Sequence, residues 1–533
     1  MNYKSLFLFK YKNGLILTVF LFISSVRIYS QNQQLNLSLN LPTGYSNLDD
    51  YYRDLVVKGE VKLTHSLNIR PLVLNFSNFN DTSKLFKPKK VYNSNSINLS
   101  ILPLNILQKF NSNQPYGWND GPLSFSKGYQ VLGSGGVYVN YKNLHVIIRP
   151  EFYKTASDNY KTNSQYGQVT PSISDLGMGQ SVIRYDVGKN SVSLSTQNMW
   201  LGPGRYSSLV MSNNSKGFKH ISLGTNTPFN TKVGNFEYLL FSGTLTTLNN
   251  QGFENNNLKT KLFNGSLRYI NGLSIVYSPK YFSNLFLGFN RVFQTYYSTL
   301  ESNNGGLSKY ALAFNGLFKS SYNDDKLQLD QILSIYSRWV MPKEKAEVYF
   351  EYGYNDAKSN TRDLILDNSH ASASIFGLRK YFTLKNNNLL LLETEITRMS
   401  QRPTYLQRNA GNWYTHGEVI QGYTNNNQIM GAGSGLGNNV QTFAASWNRG
   451  LTKIGLQFQR INQNPTQRYG NANNLFIRNV IWNDQSVGLI TRFKVYNLIF
   501  NGNIESVSST NYLWEPGLNT KNLYIYLSTI IAL

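Results

Sequence analysis

Past its first 30 residues the chain has no uninterrupted apolar run that could cross a bilayer as a helix, for which roughly 20 residues are needed. It does have recurrent short stretches in which apolar and polar residues alternate one by one. From Lys453 to Arg460, Ile454, Leu456 and Phe458 share one side, opposite Lys453, Gln457 and Gln459. From Glu347 to Tyr354, Val348, Phe350, Tyr352 and Tyr354 oppose Glu347 and Glu351. Val487, Leu489, Phe493 and Val495 oppose Arg492 and Lys494, and Val146, Ile148 and Phe152 oppose His145, Arg149 and Glu151. A period of two is the geometry of a strand with two unlike faces. In a soluble sandwich the polar face meets solvent. In a transmembrane barrel the apolar face meets lipid and the polar face a wet lumen.

The start of the chain favours the barrel. Lys4, Lys10 and Lys12 precede an apolar run from Gly14 to Ser25, and Ser30 stands before the polar Gln31. This is the pattern of an export signal over residues 1–30. The chain contains no cysteine, which excludes disulfides, thiolate metal sites, a catalytic Cys and a lipid-modified N-terminal Cys. The formal net charge is +23, from 51 basic and 28 acidic residues. Such a balance suits nucleic acid, but export and the single, scattered placement of the basic residues argue against that partner. Acidic surface polysaccharide, lipopolysaccharide phosphate or outer-membrane lipid fits better. The 37 Tyr and 30 Phe suit the aromatic girdles at the two edges of a membrane barrel.

Asn- and Gly-rich connections such as Asn249 to Gly252 and Asn425 to Gln428 separate the alternating stretches and read as turns and loops. At roughly 23 residues per strand with its connection, the chain from Leu123 onward accommodates about 16 to 20 strands. The expected fold is all-β, a transmembrane antiparallel β-barrel over residues 122–533 in the outer membrane of a Gram-negative bacterium. Residues 31–121 are expected to form a periplasmic segment with short helices. One is expected over Asn47 to Lys58, where Leu48, Tyr51, Tyr52, Leu55 and Val56 share a helical face and Gly59 stops the run. A second is expected over Pro103 to Phe110. Leu523 to Leu533 reads as a last strand, without a terminal aromatic.

One stretch breaks the alternation. From Gln197 to Asn214, QNMWLGPGRYSSLVMSNN, the Gly202-Pro203-Gly204 run cannot continue a ladder, because proline lacks an N–H and glycine admits unusual backbone angles. Around it stand Trp200, Arg205, Asn213 and Asn214, residue types that bind sugars. An indole face stacks on C–H groups, Asn offers a donor and an acceptor, and Arg forks onto carboxylates. The same residues also suit a hairpin folded into a lumen, with Trp200 packed and the Asn side chains satisfying turn backbone. His416 is a further polar candidate. The five histidines show no metal-helix spacing, and neither a metal nor a cofactor is expected. Glu393 and Glu395 share one strand face as a glycosidase pair could, or as lumen carboxylates paired with Arg. The run Gly431 to Gly437 lacks phosphate-loop spacing and reads as backbone passing close to other backbone.

Trp200 to Gly204 followed by Leu209 to Asn214 resembles the Wzi-type capsule-assembly family of outer-membrane proteins. Tyr116 to Gly121, Lys127-Gly128, Arg149 to Phe152, Lys58 to Glu60, His65-Ser66 and Arg70 to Leu72 resemble a Bacteroidetes-like branch of it. Tyr414 to Gly417, leading to Gly431 to Gly433, is similar to a late family segment. The resemblance implies about 18 strands with a small periplasmic helical element. It also implies a lectin-like, non-catalytic role in holding capsular or exopolysaccharide, with the polysaccharide export machinery as a candidate partner. The competing readings are an anion-preferring porin and, third, a barrel hydrolase using Glu393 or His416.

Overall fold

The computed structural model describes residues 38–41, 43, 48–75, 89–94, 96–156, 172–247, 267–302, 306–314, 328–355, 369–401, 411–465 and 480–531. The alternating stretches pair in antiparallel order into one closed barrel of 18 strands. Closure is made by Thr520–Ile531 pairing with Ile97–Asn111. One wall strand is interrupted at Pro150: Leu144–Ile148 resumes as Glu151–Lys154, and both pieces pair with Gly128–Tyr141. Proline has no N–H to give the ladder there. The export signal expected over residues 1–30 lies outside the described residues.

Two-residue turns at 142–143, 188–189, 450–451 and 496–497 lie at one end of the barrel. The long connections, including 196–219 and the segment 411–438, lie at the other. Short periplasmic turns and long extracellular loops are the rule for such barrels, which orients the chain.

The period-two reading holds along the wall. Ile454, Leu456 and Phe458 are exposed outward, whereas Lys453, Gln457 and Gln459 are buried in the lumen. Leu456, 61% exposed, sits near the centre of Thr452–Asn462, where lipid is most apolar. Leu456→Arg should therefore cost about 2–4 kcal/mol of barrel stability in urea-induced unfolding from lipid vesicles. Leu456→Phe should be close to neutral in the same measurement.

The helix expected over Pro103 to Phe110 is instead part of the closing strand Ile97–Asn111. Leu104 and Ile106 face out, and Asn105, Leu107 and Lys109 face in. The register slips between Leu102 and Asn105, so Pro103 sits at a bulge that hides the period. The wall thus begins at Ile97, ahead of the expected boundary at 122. The hairpin at Asn425 to Gln428 does form a turn, with Asn426 and Asn427 both at positive φ as a tight hairpin requires.

The helix Leu48–Val57 forms as its spacing predicts and ends at Gly59, whose φ is +76°. Its position differs from a simple periplasmic cap. Leu55, Val56 and Val57 are fully covered by an apolar collar near the short-turn end that includes Val276, Phe286, Val340, Leu391, Ile499 and Ile530. Asp49, Arg53 and Asp54, on its polar side, are buried as well. A helix covered all round has left the periplasm and entered the lumen.

Candidate functional site

The helix meets, inside the lumen, the segment 196–219 that descends from the long-loop end. Trp200–Leu201 pairs with Ile69–Arg70, and the chain then turns at Gly202-Pro203-Gly204. Gly202 has φ +143°, and a Cβ there would lie 2.8 Å from Ser208 Oγ. A Cβ on Gly204 would lie 1.8 Å from the Ser207 carbonyl oxygen. The turn aims carbonyls at the helix. Arg53 donates to Pro203 O at 2.8 Å and Gly204 O at 3.0 Å, and Arg70 donates to Gly204 O at 3.2 Å. The Arg70 guanidinium also lies 4.6 Å from the centre of the Trp200 ring, in cation–π range.

Strand register builds the matching wall. Glu347 stands opposite Arg379, and Arg379 opposite Glu393, on three successive strands with side chains turned inward. Glu347 accepts from Arg53 at 2.8 Å, Arg338 at 2.6 Å and Arg379 at 2.9 Å. Glu393 accepts from Arg379 at 2.9 Å and Lys453 at 3.2 Å. Asp54 of the helix accepts from Arg379 at 2.5 Å and Arg492 at 2.9 Å. Burial alone would raise the Asp54 carboxyl, but Arg379, Arg492, Lys453 and Arg205 together hold it well below the usual carboxylate range. Wall carboxylates also grip plug backbone: Glu395 takes the N–H of Arg205 at 2.7 Å and of Tyr206 at 3.0 Å, and Glu237 takes that of Ser66 at 2.7 Å.

Nearer the long loops, Met199, Leu201, Leu209, Val210 and Met211 form a second core with lumen-facing side chains such as Phe241, Ile332 and Ile375. Trp413, Tyr414 and Met430 of the 411–438 segment complete it. Gly431 permits this packing, since a Cβ there would lie 2.5 Å from Leu209 O. The glycine-dense run is close backbone approach, as its composition suggests. Two plugs, one from each end, therefore abut at Gly202-Pro203-Gly204.

The residues singled out in the sequence separate into two groups. Trp200 and Arg205 line one lumen cavity; Asn213, Asn214 and His416 do not line it. Asn213 is fully buried and its side chain donates to Asn119 O at 3.0 Å, while its main-chain carbonyl accepts from Gly121 N–H at 2.8 Å. Asn214 donates to Ile429 O at 3.0 Å and accepts from Asn119 N–H at 3.2 Å. The pair thus ties three loops together. His416 Nδ1 accepts from the backbone N–H of Glu418 and Val419, closing a turn. Arg205 is ion-paired with Asp50 of the helix, and Glu393 lies 3.8 Å away.

The cavity holds about 220 Å³ and is bounded by the Tyr116 to Asn119 loop, Trp200, Arg205, Tyr206 and the wall from Lys453 round to Tyr526. Sequence reasoning missed Trp118, Asn119, Tyr206 and Asn503 as cavity residues. An aromatic beside Asn in a loop was the available signal for the first two. Asn503 carried none beyond its place on an alternating strand. Among the described residues, no group of His, Asp or Glu could hold a metal ion.

The family model described as capsule assembly protein Wzi matches residues 120–507. No curated protein matches the chain. Among solved structures, that of Escherichia coli Wzi, described as an outer-membrane, carbohydrate-binding β-barrel involved in group 1 capsule assembly, superposes with a TM-score of 0.60 at 11% identity. It covers 92% of this chain and 99% of its own. Pseudomonas aeruginosa OprD is more distant, with a TM-score of 0.39 at 8% identity over 82% of this chain and 94% of its own. The Acinetobacter baumannii channel DcaP gives a TM-score of 0.32 at 10% identity over 83% and 99%.

Proposed function

The chain is an outer-membrane barrel that belongs to the capsule assembly protein Wzi family, and from that premise we propose that it holds capsular or exopolysaccharide at the cell surface by binding it, without bond chemistry. The observation that carries this reading is the occupied lumen. The plug from the short-turn end and the plug from the long loops meet at Gly204, and wall charges that would line a channel are engaged in holding them. An anion-preferring porin would keep those arginines facing water.

The groups a hydrolase would use are engaged in holding the fold, Glu395 through one of its two oxygens. Glu393 is held by Arg379 and Lys453, Glu395 by two backbone N–H groups and Tyr349, and His416 Nδ1 by its own turn. The net charge of +23 supports an acidic glycan, with lipopolysaccharide as neighbour and the export machinery as a protein partner.

Deleting the gene should leave total polysaccharide unchanged and shift it from the cell surface to the medium, measured by fractionating cells and supernatant. If export itself stops, retention fails as the role and translocation replaces it. In planar bilayers the purified protein should stay silent; a steady anion-selective pore would favour the porin.

A further inference from the structure

We propose that the short-turn rim of the barrel is a contact surface for anionic phospholipid headgroups of the periplasmic leaflet. It concerns the end opposite the long loops and does not depend on which glycan is held. Eight hairpins close the wall at this end, over residues 142–143, 188–189, 231–233, 280–284, 342–345, 384–388, 450–451 and 496–497. Lys142, Lys189, Lys232 and Lys280 stand in the first four. Lys343 and Lys385 stand in the next two, and Arg449 ends the strand that enters the seventh. All seven residues are exposed. The eight turns carry a single carboxylate, Glu344, which lies 3.8 Å from Lys380. None of the seven cations is ion-paired with a described residue.

Where side-chain direction is fixed at this end, it points to lipid. Arg449 continues the outward row of Phe443 and Trp447, and Lys380 lies between the outward Leu378 and Phe382. Lys142 Nζ lies 5.4 Å from the centre of the outward Tyr141 ring. An apolar row that passes an aromatic ring and ends in a cation follows the order of a bilayer, from hydrocarbon to phosphate. Long basic side chains reach headgroups from such positions while their stems lie on apolar surface. The distribution argues the same way. The seven cations occupy seven successive hairpins around the wall, which is how an annulus of lipid meets a barrel; a rigid acidic protein would meet one arc. Lipopolysaccharide stands in the opposite leaflet, at the long-loop end, so the anion within reach of this rim is a phospholipid phosphate. Attraction of one basic side chain to an anionic headgroup corresponds to about fivefold in affinity.

The test uses the full-length protein in phosphatidylcholine vesicles that carry a trace of spin-labelled phosphatidylglycerol or spin-labelled phosphatidylcholine. Electron spin resonance then measures the share of each lipid immobilised on the barrel. Phosphatidylglycerol should be preferred about fivefold at low salt. The preference should fall towards one in about 1 M salt, where charges are screened within about 3 Å. A combined variant, K142Q, K189Q, K232Q, K280Q, K343Q, K385Q and R449Q, should lose it at low salt as well. K127Q, K154Q and K521Q together, at the exposed long-loop end, should keep it. Equal immobilisation of the two lipids by the parent, indifference to salt, or a preference that survives in the hairpin variant would overturn the assignment. The salt response needs no variant, so it decides the matter even where seven changes impair assembly. Binding of soluble polyglutamate by the parent but not the hairpin variant, with no lipid preference, would give the rim to an acidic protein instead.

Discussion

Asp54→Ala should release the helix Leu48–Val57 from the lumen and raise the maleimide-labelling rate of a cysteine placed at Val56 about 10²- to 10³-fold. The chain has no cysteine of its own, so a single Val56→Cys reports on this position alone. Val56 is fully buried in the collar, and the probe stays protected while the helix is docked. Removing the Asp54 carboxylate takes from Arg492 its carboxylate partner in a buried site and leaves Arg379 with Glu347 and Glu393 only. Losing one partner of a buried pair costs about 3–5 kcal/mol, and about 1.4 kcal/mol is tenfold in an opening equilibrium. The apolar face of the helix opposes release but does not compensate the Arg492 guanidinium. Arg379→Ala in the same background should add less than its own single effect, because both changes act on one network. Labelling no faster than in the parent would show that the collar alone holds the helix.

The same network fixes the sign of its pH response. Asp54 is held below its ordinary range when docked, so its contribution to docking is complete above the free carboxyl value of about 3.9. It is lost only as pH falls through the lower docked value. Val56→Cys should therefore remain protected from neutral pH through mild acid, with exposure beginning in stronger acid. A plug that opened on mild acidification would require a different controlling group.

How much of this was legible in the sequence follows from which interactions are local. The alternation of Ile454, Leu456 and Phe458 against Lys453, Gln457 and Gln459 depends on the pleat alone, and it predicted the two faces of the wall. The helix was legible for the same reason, from spacing within ten residues and the glycine after it. Its location was not. Asp49 and Asp50 look like residues suited to a helix N-terminus, and nothing near them reveals that Arg53 meets Glu347, 294 positions away. Asp54 and Arg379 are 325 positions apart. At Pro103 the strand hides its period, because the register slip between Leu102 and Asn105 breaks the alternation that the pleat would otherwise give. In the Gln197 to Asn214 stretch, residue types identified an unusual segment but could not separate gripping a glycan from gripping the barrel. Asn213 and Asn214 give their amide N–H groups to neighbouring loops, while Trp200 lines a cavity with the Arg70 guanidinium over its ring. That difference lies in partners supplied by distant loops.

Gly204→Ala should unseat the junction between the two plugs while leaving the wall assembled. The added Cβ would lie 1.8 Å from the Ser207 carbonyl oxygen and 3.5 Å from Glu395 Oε2. The first contact is with backbone, so no rotamer change relieves it. Opening the turn from Gly202 to Ser207 is the available response, and it withdraws the Pro203 and Gly204 carbonyls from Arg53 and Arg70. It also pulls the Arg205 and Tyr206 N–H groups from Glu395. Two buried guanidinium groups and a carboxylate then lose partners together, each loss being worth about 1–3 kcal/mol or more. The wall takes part in these bonds only through the Glu395 side chain, and no ladder hydrogen bond between wall strands is lost, so the variant should reach the membrane in normal amount. It should, however, be cleaved by protease within 196–219 at least tenfold faster than the parent, at about 1.4 kcal/mol per decade. Gly188→Ala is the control: its φ of +58° strains a short turn, but a Cβ there meets nothing within 4 Å. If Gly204→Ala resists protease as the parent does, the Gly-Pro-Gly turn is a spacer and the grip lies in the ion pairs of the helix alone.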